Sequence, residues 1–191
     1  LDLGLPDRDF YLGTENEEIQ AKYRAHIANV LTLAKIGDAE AMASRIYELE
    51  RQIAETHGTR EDSGNVSKAN NPWKTAEFAK DAPGIAWKAY FKASRLSGQK
   101  MIMVWHPGGI KGSSALVGSV PLDRWKEYLT FRAIERSAGL LPKAFADENF
   151  NFNGKVLSGA RQQRPRNIRA INSTSNALGD VVGKMYTDKY F

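Results

Sequence analysis

Histidines and carboxylates are the first side chains to consider for chemistry, because together they could hold a catalytic metal ion. The chain has three histidines, His26, His57 and His106, and they lie far apart in the sequence. A helical zinc motif needs two histidines four residues apart, so that both imidazoles project from one face. No HExxH sequence occurs. We therefore predict no metal ligand here and interpret each histidine as a helix-capping or surface residue.

Nucleophiles and acid–base pairs are equally unsupported by the sequence. There is no GxSxG elbow, P-loop or GxGxxG fingerprint, and Ser158 stands in a small-residue loop without a base nearby in sequence. The acidic pairs Asp147–Glu148 and Glu61–Asp62 are adjacent, so their carboxylates would not face each other on a helix. We interpret them as solvated charges. The sequence thus predicts no catalytic, cofactor-binding or metal-binding residue.

Length and composition describe a chain that can build a core. It has 191 residues, 42% of them hydrophobic, with four tryptophans and no cysteine. The lack of cysteine excludes disulfides, thiol nucleophiles and cysteine-bound zinc. No run approaches the ~20 apolar residues of a membrane helix, and the first residues lack the order of a signal peptide. Because the chain opens on Leu1 rather than methionine, we expect a processed product or a piece of a longer protein.

Positive charge suggests an alternative function as a binding module. The net charge is +5, but 27 basic residues are interleaved with 22 acidic ones. The basic residues concentrate only in the stretch 161–169. If the protein bound nucleic acid, this stretch would be its phosphate-binding patch. No aromatic residue interleaves these arginines, and Pro165 is typical of a helix start. We favour a solvated helix entrance, and a stand-alone helical module for an acidic partner or nucleic acid is the alternative.

Periodicity in the first third predicts a helix hairpin. Apolar residues recur every three to four positions over 17–36 and again over 39–53. Thr14 and the glutamate three residues later resemble a capping box. Gly37 is expected to stop the first helix in a left-handed conformation, and Asp38 to cap the second. Two antiparallel helices joined by a short turn follow.

The middle of the chain is predicted to be less regular. The polar stretch 56–72 is interpreted as a surface loop, followed by short helices over 75–81, which Thr75 would cap, and 85–94. The run 101–105 has the composition of a strand. A lone strand makes no sheet, so it either crosses a helical domain or pairs with a strand outside this chain.

The last third is again helical in pattern. Pro121 opens a helix running to about Ser137, and Pro142 opens another, whose stripe of Phe145, Asn149, Phe152 and Val156 is typical of core. A long helix is predicted over 165–191, with two glycines suited to close approach by another helix. The whole pattern predicts a mostly α fold: a multi-helix domain with antiparallel helix hairpins and at most one short strand, forming a single helical domain segment over 1–191.

The stretch Gly4-Leu-Pro-Asp-Arg-Asp-Phe-Tyr-Leu12 predicts a tight turn with hydrophobic anchors. Pro6 fixes its own φ and favours an extended Leu5, while Asp7 and Asp9 can bond nearby backbone amides. The residues after the turn point toward a core. The stretch has no catalytic chemistry of its own.

Several motifs taken together resemble the neprilysin family of zinc metallopeptidases. They are Gly4-Leu-Pro-Asp-Arg-Asp-Phe-Tyr11, Leu49-Glu-Arg-Gln-Ile-Ala54, Lys143-Ala-Phe145 and Val182-Gly-Lys-Met-Tyr186, in this order and over essentially the whole chain. The resemblance implies a parent metalloendopeptidase with a thermolysin-like catalytic domain and a mostly helical domain that closes over it. This chain is similar to the helical part.

The resemblance implies a division of labour. The parent would hydrolyse peptides with zinc beside a glutamate base, whereas this segment would hold no cofactor and no site residue, because the family's HExxH lies further toward the C-terminus. Its partners would be the catalytic domain of the same polypeptide and peptide substrates. The absence of cysteine is similar to bacterial members, which implies a periplasmic or secreted setting. We also expect exposed apolar patches and self-association.

Overall fold

The computed structural model describes residues 3–191, and most of them lie in helices. Within that range the strands form one two-stranded sheet. The predicted mostly α class is therefore confirmed. Contacts divide the chain into two compact units, the first ending at Asn149 and the second covering Phe150–Phe191.

The first unit is a succession of helices interrupted by one pair of strands. Its α-helices are α1 (Asp9–Leu12), α2 (Glu17–Leu33), α3 (Ala39–Thr56), α4 (Arg60–Gly64), α5 (Phe78–Asp81), α6 (Trp87–Ala93), α7 (Pro107–Ser119), α8 (Leu122–Ser137) and α9 (Lys143–Asn149). The strands are β1 (Pro72–Lys74) and β2 (Met101–Met103). Single 3-10 turns lie at Thr14–Asn16, Val66–Ala69 and Thr75–Glu77.

The predicted hairpin of α2 and α3 forms the centre of the core. The buried faces of both helices follow the apolar periodicity, and Ile27, Leu31 and Ile46 are at most 1% exposed. The stop was predicted at the wrong residue, because Lys35 rather than Gly37 takes the left-handed conformation, with φ of 58°. The amide of Ile36 then bonds to the carbonyl of Leu31 and closes the helix end.

The predicted caps of this hairpin do not form. Thr14 begins a 3-10 turn, so α2 starts three residues later without a side-chain cap. Asp38 does precede α3, but its φ is 56° and its side chain caps no helix amide. Its Oδ2 accepts instead from Arg45 Nη1 at 3.3 Å. For Asp38, the contact with Arg45 thus replaces the predicted cap.

The stretch 56–72 is more ordered than predicted. Thr59 Oγ1 caps α4 by accepting from the amide of Asp62, and Asn65 Oδ1 accepts from the amide of Ser67 in the next turn. Such one-turn elements are too short for periodicity to reveal. The predicted short helices over 75–81 and 85–94 are confirmed as α5, with its preceding 3-10 turn, and α6. Thr75 caps neither, because its Oγ1 donates to the carbonyl of Gln99.

The strand predicted at 101–105 is confirmed as β2, which ends at Met103, but its partner was not predicted. β2 pairs antiparallel with β1 inside the same chain, with Trp73 opposite Ile102 and Pro72 opposite Met103. The expectation of at most one strand is corrected in this respect. β1 was missed because three residues beginning with proline show no alternation to detect.

An aromatic cluster packs behind this ribbon. It consists of buried Phe78, Ala82, Trp87, Phe91 and Val104, with Trp73 and Ile102 packed against it. The rings of Phe78 and Trp87 meet edge to face at 4.9 Å, a favoured geometry. The ribbon therefore presents one face to a hydrophobic core.

Helix α7 was not predicted from the sequence. Pro107 occupies the first turn of α7, where a missing amide proton has no cost, and the two following glycines obscure the helical pattern. By contrast, α8 begins directly after Pro121, as predicted, and buries Trp125, Tyr128 and Phe131.

The second unit contains a π-helix, Phe150–Leu157, then α10 (Arg166–Ala177) and α11 (Gly179–Tyr190). Phe152, from the predicted core stripe, is buried. The single helix predicted over 165–191 is wrong, because it breaks at Leu178, whose φ and ψ are −114° and 34°.

The apolar side chains of α10 and α11 are exposed. Ile171, Val181, Met185 and Tyr186 each show more than half of their surface. The close approach predicted at Gly179 and Gly183 is not found within the described chain, where no atom lies within 4 Å of an added β-carbon. The predicted exposed apolar surface is thus present on this unit.

Candidate functional site

The three histidines do not assemble a metal site. His57 ends α3, His106 precedes α7, and His26 lies inside α2. Across residues 3–191 no group of three or more histidine, aspartate or glutamate side chains is arranged to hold a metal ion. This part of the chain therefore has no set of side chains suited to bind a metal ion.

His26 was predicted to be a capping or surface residue, but it is buried. It is only 1% exposed, with Nδ1 3.0 Å from Glu148 Oε1 and Nε2 3.8 Å from Glu135 Oε1. Burial lowers the pKa of His26, but the two carboxylates raise it more, so the pKa lies above its usual value. The imidazole thus joins α2, α8 and α9 through charge-assisted contacts.

The adjacent pair Asp147 and Glu148 also departs from the prediction of two solvated charges. Asp147 pairs with Lys143 at the surface, but the Glu148 side chain is 17% exposed and accepts from Asn29 at 3.1 Å as well as contacting His26. The hydrogen bond with His26 lowers the pKa of Glu148. One of the two is therefore a structural ion-pair partner.

The motif Gly4–Leu12 is anchored by a tyrosine hydroxyl. Tyr11 Oη accepts from the amides of Gly4 (3.0 Å) and Leu5 (2.9 Å) and donates to Glu50 Oε2 at 2.7 Å. An added β-carbon at Gly4 would lie 1.6 Å from Tyr23 Oη. The first residues of the motif are therefore held against the buried hydroxyl of Tyr11. This confirms the predicted tight turn.

The two aspartates of the motif behave differently. Asp7 Oδ1 accepts from the amide of Asp9 at 2.9 Å, as predicted. Asp9 makes no such bond among the described residues, and its carboxylate instead lies 3.7 Å from Arg8 Nε. Only Asp7 holds the turn directly.

Glu50 is a buried carboxyl group at the centre of this network. Its Oε2 accepts from Tyr11 and from Tyr23, the latter at 2.8 Å, while Oε1 has no hydrogen-bond partner in the described part of the chain. Burial raises the pKa of Glu50 from 4.5 to about 7, although both tyrosines and Arg132 oppose the rise. The group therefore titrates near neutral pH.

Arg132 links the network to the start of the chain. Its Nη1 donates to Glu135 Oε2 at 2.6 Å, and its Nη2 donates to the carbonyl of Leu3 at 3.2 Å. The guanidinium thus ties α8 to the segment that precedes α1. This polar network is structural, because Tyr11 and Tyr23 join α1 and α2 to Glu50 of α3, and Arg132 joins α8 to Leu3.

Replacing Tyr11 with phenylalanine should lower the free energy of unfolding by roughly 2–4 kcal/mol. The substitution leaves two amides, of Gly4 and Leu5, without their acceptor in a buried site. Urea unfolding followed by circular dichroism measures the loss. Tyr90→Phe is the matched control, because Tyr90 is 52% exposed; equal stability of the two variants would contradict the anchoring role.

A cleft of about 900 Å³ lies beside this network. Its walls come from the Gly4–Leu12 motif, the end of α3, helix α6 and the chain from β2 into α7. Aromatic and aliphatic side chains dominate, including Trp87, Phe91 and Trp105. Cavities of roughly 300–1,000 Å³ with apolar walls and a few polar groups are typical ligand sites.

Basic side chains border the cleft. Arg8, Arg60, His57 and His106 line it, and within the described range Asp7 contributes the one carboxylate. Arg8 Nη1 donates to the carbonyl of His57 at 3.2 Å, which fixes the guanidinium at the cleft wall. The cleft is the strongest candidate for binding in the first unit.

Sequence reasoning identified no cleft residue as functional. The lining side chains come from segments up to about a hundred positions apart, and no short motif connects them. Arg8 was the one accessible signal, since it is the only basic residue of the Gly4–Leu12 motif. Its pairing with the carbonyl of His57 depends on the fold.

The basic stretch 161–169 lies at the entrance of a helix, as favoured by the sequence. Pro165 precedes α10, and Arg169 Nε donates to the carbonyl of Arg164 at 3.2 Å. No helix of residues 3–191 is long and apolar enough to cross a membrane.

Comparison with known proteins gives consistent matches over the full chain. The model of peptidase family M13 matches residues 1–191. Human and rat endothelin-converting enzyme 1 are each 24% identical over 197 aligned residues, which include 99% of this chain but only 26% of the relative. The chain therefore spans about a quarter of the length of these curated relatives.

Solved structures agree with this result. The open state of zinc metalloprotease Zmp1 from Mycobacterium tuberculosis superposes with a TM-score of 0.93 at 29% identity, covering 99% of this chain and 30% of that one. The inhibitor complex of the same enzyme gives 0.89 at 28% identity. The predicted resemblance to neprilysin-like metallopeptidases is confirmed: the chain belongs to peptidase family M13, to whose N-terminal region it corresponds.

Proposed function

We propose that this chain is the non-catalytic helical region of a zinc-dependent metalloendopeptidase that hydrolyses peptides. In the whole enzyme it walls the active-site chamber and limits the size of substrates. One observation carries the proposal: the family model covers residues 1–191, yet residues 3–191 offer no donor set for a metal. No catalytic step is assigned to any residue here.

The partners of this region are the catalytic domain of the same polypeptide and the peptide substrates. The exposed apolar residues of α10 and α11 support a covering partner, because many large apolar side chains exposed on one unit are characteristic of interfaces. Self-association through the same surface is expected when the chain is isolated. The similarity to a mycobacterial enzyme supports a bacterial peptidase, which we place in the periplasm or outside the cell.

The alternative, a stand-alone module that binds nucleic acid or an acidic partner through 161–169, gains no specific support. Its arginines lie at a helix entrance without aromatic side chains between them. Binding to nucleic acid with a steep salt dependence would be needed to favour it.

The test compares the isolated chain with a full-length protein that contains it. We expect the full-length protein to hydrolyse short fluorogenic peptides, to slow as the peptides lengthen, and to leave a folded protein intact. A zinc chelator should abolish this activity, whereas the isolated chain should neither retain zinc nor cleave peptides.

Matched variants sharpen the comparison. His57→Ala and His106→Ala in the full-length protein should leave the zinc content unchanged, because neither imidazole belongs to a group of possible metal ligands among residues 3–191. One zinc per isolated chain together with peptide cleavage would overturn the division of labour. Hydrolysis rates that do not depend on substrate size would contradict the chamber role.

A further inference from the structure

The ribbon of β1 and β2 has two different edges. The amide of Val104 donates to the carbonyl of Asn71 at 2.8 Å, and the amide of Thr75 donates to the carbonyl of Lys100 at 3.0 Å. With the register that pairs Trp73 with Ile102, the hydrogen-bonded positions of β2 are therefore 100, 102 and 104. The backbone groups of Met101 and Met103 point away from β1.

The outer edge of β2 is open to a further strand. In the described chain no hydrogen bond engages the amide or carbonyl groups of Met101 and Met103. The outer edge of β1 is different, because Pro72 has no amide proton to offer there. Only β2 thus presents regularly spaced donors and acceptors.

Side chains alternate across β2 in a way that suits an added strand. Ile102 and Val104 face the aromatic cluster, whereas Met101 and Met103 are 57% and 54% exposed on the opposite face. A strand with a buried face and unpaired edge groups is a template for an extended peptide. Methionine side chains adapt readily to different contacts.

The 900 Å³ cleft follows this open edge. Five consecutive residues, 102–106, line it, so side chains from both faces of the extended chain contribute, and no residue of β1 does. This places the cleft on the side of β2 that is away from β1. Arg8 and Arg60 also line the cleft.

The charge of the cleft indicates the nature of its occupant. Among residues 3–191, two arginines and two histidines line it, and Asp7 is the one carboxylate that does so. Arg60 forms no ion pair with the described residues, and Arg8 is only partly engaged, with Asp9 3.7 Å from its Nε. An acidic group on the occupant would complement this side.

We propose that the open edge of β2 binds an extended peptide as a third strand inside the cleft. Its apolar side chains alternate between the cleft walls, and one of its carboxylates faces Arg8 and Arg60. The choice of a peptide rests on the proposed function, which this accessory site deepens: it would hold a substrate segment away from the reacting bond. Backbone hydrogen bonds to β2 provide the affinity, and the arginines provide the preference for acidic peptides.

Fluorescence anisotropy of a labelled pentapeptide tests the proposal on the purified chain. The peptide alternates valine and threonine and ends in glutamate with a free carboxylate. We expect saturable binding that Met103→Pro weakens at least about tenfold, because the substitution removes an edge donor and places a ring where the peptide would lie. Met103→Ala is the matched control, since it keeps the amide, and should weaken binding by about threefold or less.

Modified peptides make the test independent of how the variants fold. Methylation of alternate amides should abolish binding in one register and leave it within about twofold in the other, because only every second amide of a strand faces its neighbour. Equal effects in both registers would overturn strand addition. Arg60→Glu should weaken the acidic peptide more than its amidated glutamine analogue, and equal weakening would overturn the predicted carboxylate contact.

Other occupants give distinguishable results. A dimer at sedimentation equilibrium that Met103→Pro dissociates, without any peptide binding, would assign the edge to a second copy and reject the peptide. The proposed function is judged separately by size-dependent hydrolysis in the full-length protein. Loss of peptide binding to β2 with intact size-dependent hydrolysis would reject only the accessory site.

Discussion

Replacing Gly84 with alanine should lower the free energy of unfolding by roughly 3–5 kcal/mol, the largest single-residue effect expected in this chain. Gly84 has φ of 122°, a conformation that an L side chain rarely adopts. An added β-carbon would lie 1.8 Å from the carbonyl oxygen of Ser114 in α7. Because the obstacle is helix backbone, no side-chain rotation relieves the clash.

The contact matters because it docks α7 on the aromatic cluster. Ser114 Oγ donates to the carbonyl of Ala82 at 2.6 Å and accepts from the amide of Ile85 at 3.2 Å. Trp87 Nε1 donates to the same carbonyl of Ala82 at 2.6 Å. Displacing the backbone at Gly84 would strain all three hydrogen bonds in a buried site.

Urea unfolding of Gly84→Ala against Gly98→Ala measures the effect. No neighbouring atom of residues 3–191 lies within 4 Å of a β-carbon added at Gly98, and the φ of Gly98 is not in the left-handed range. Gly98→Ala should therefore change stability by at most about 0.5–1 kcal/mol in either direction. Similar losses in both variants would show that α7 is free to move away from Gly84.

Long periodic elements were predictable from the sequence, and short ones were not. α2, α3 and α8 carry their apolar stripe over four turns or more, so burial of one face dictates the helix. α7 contains four glycines that dilute its pattern, and β1 is three residues long. These elements exist because of tertiary contacts, such as Ser114 with Ala82, that no local pattern records.

The buried polar residues show the same limit more sharply. His26 looked like a surface residue of an amphipathic helix, yet its partner Glu148 lies 122 positions further along the chain. Glu50 occupies one of the buried positions of α3, where an ionisable side chain contradicts the apolar pattern. A charged residue on an otherwise apolar face was thus the one signal that the sequence offered for the network.

Titration of Glu50 gives the second large effect, and its sign follows from the direction of the pKa shift. The folded pKa is about 7, above the ordinary 4.5, so the folded state holds a proton that the unfolded chain releases earlier. The stability linked to this proton is fully present below pH 4.5 and is lost as the pH rises through about 7. At about 1.4 kcal/mol for each pKa unit, the loss is about 3 kcal/mol.

Glu50→Gln should remove this dependence. Glutamine has nearly the same shape, can still accept from Tyr11 and Tyr23, and does not ionise. The difference in unfolding free energy between the variant and the parent should therefore shift by about 3 kcal/mol in favour of the variant between pH 4 and pH 8. The change of this difference with pH is used because any pH-independent effect of the glutamine amide on stability cancels from it.

Other charged groups near Glu50 also affect how stability changes with pH, so the experiment needs a control. Arg132 lowers the pKa of Glu50 and Glu135 raises it. Glu135 and Glu148 both contact His26, whose pKa they raise. His26→Gln is the matched control, since it removes another buried titrating group of this cluster but leaves Glu50 in place. If Glu50 causes the pH dependence, Glu50→Gln makes the unfolding free energy less dependent on pH between pH 4.5 and 7. His26→Gln keeps the slope of the parent protein in that range. A flat difference for Glu50→Gln from pH 4 to 8 would mean that the carboxyl group is already ionised in the folded protein, which its burial among two tyrosines and apolar side chains opposes.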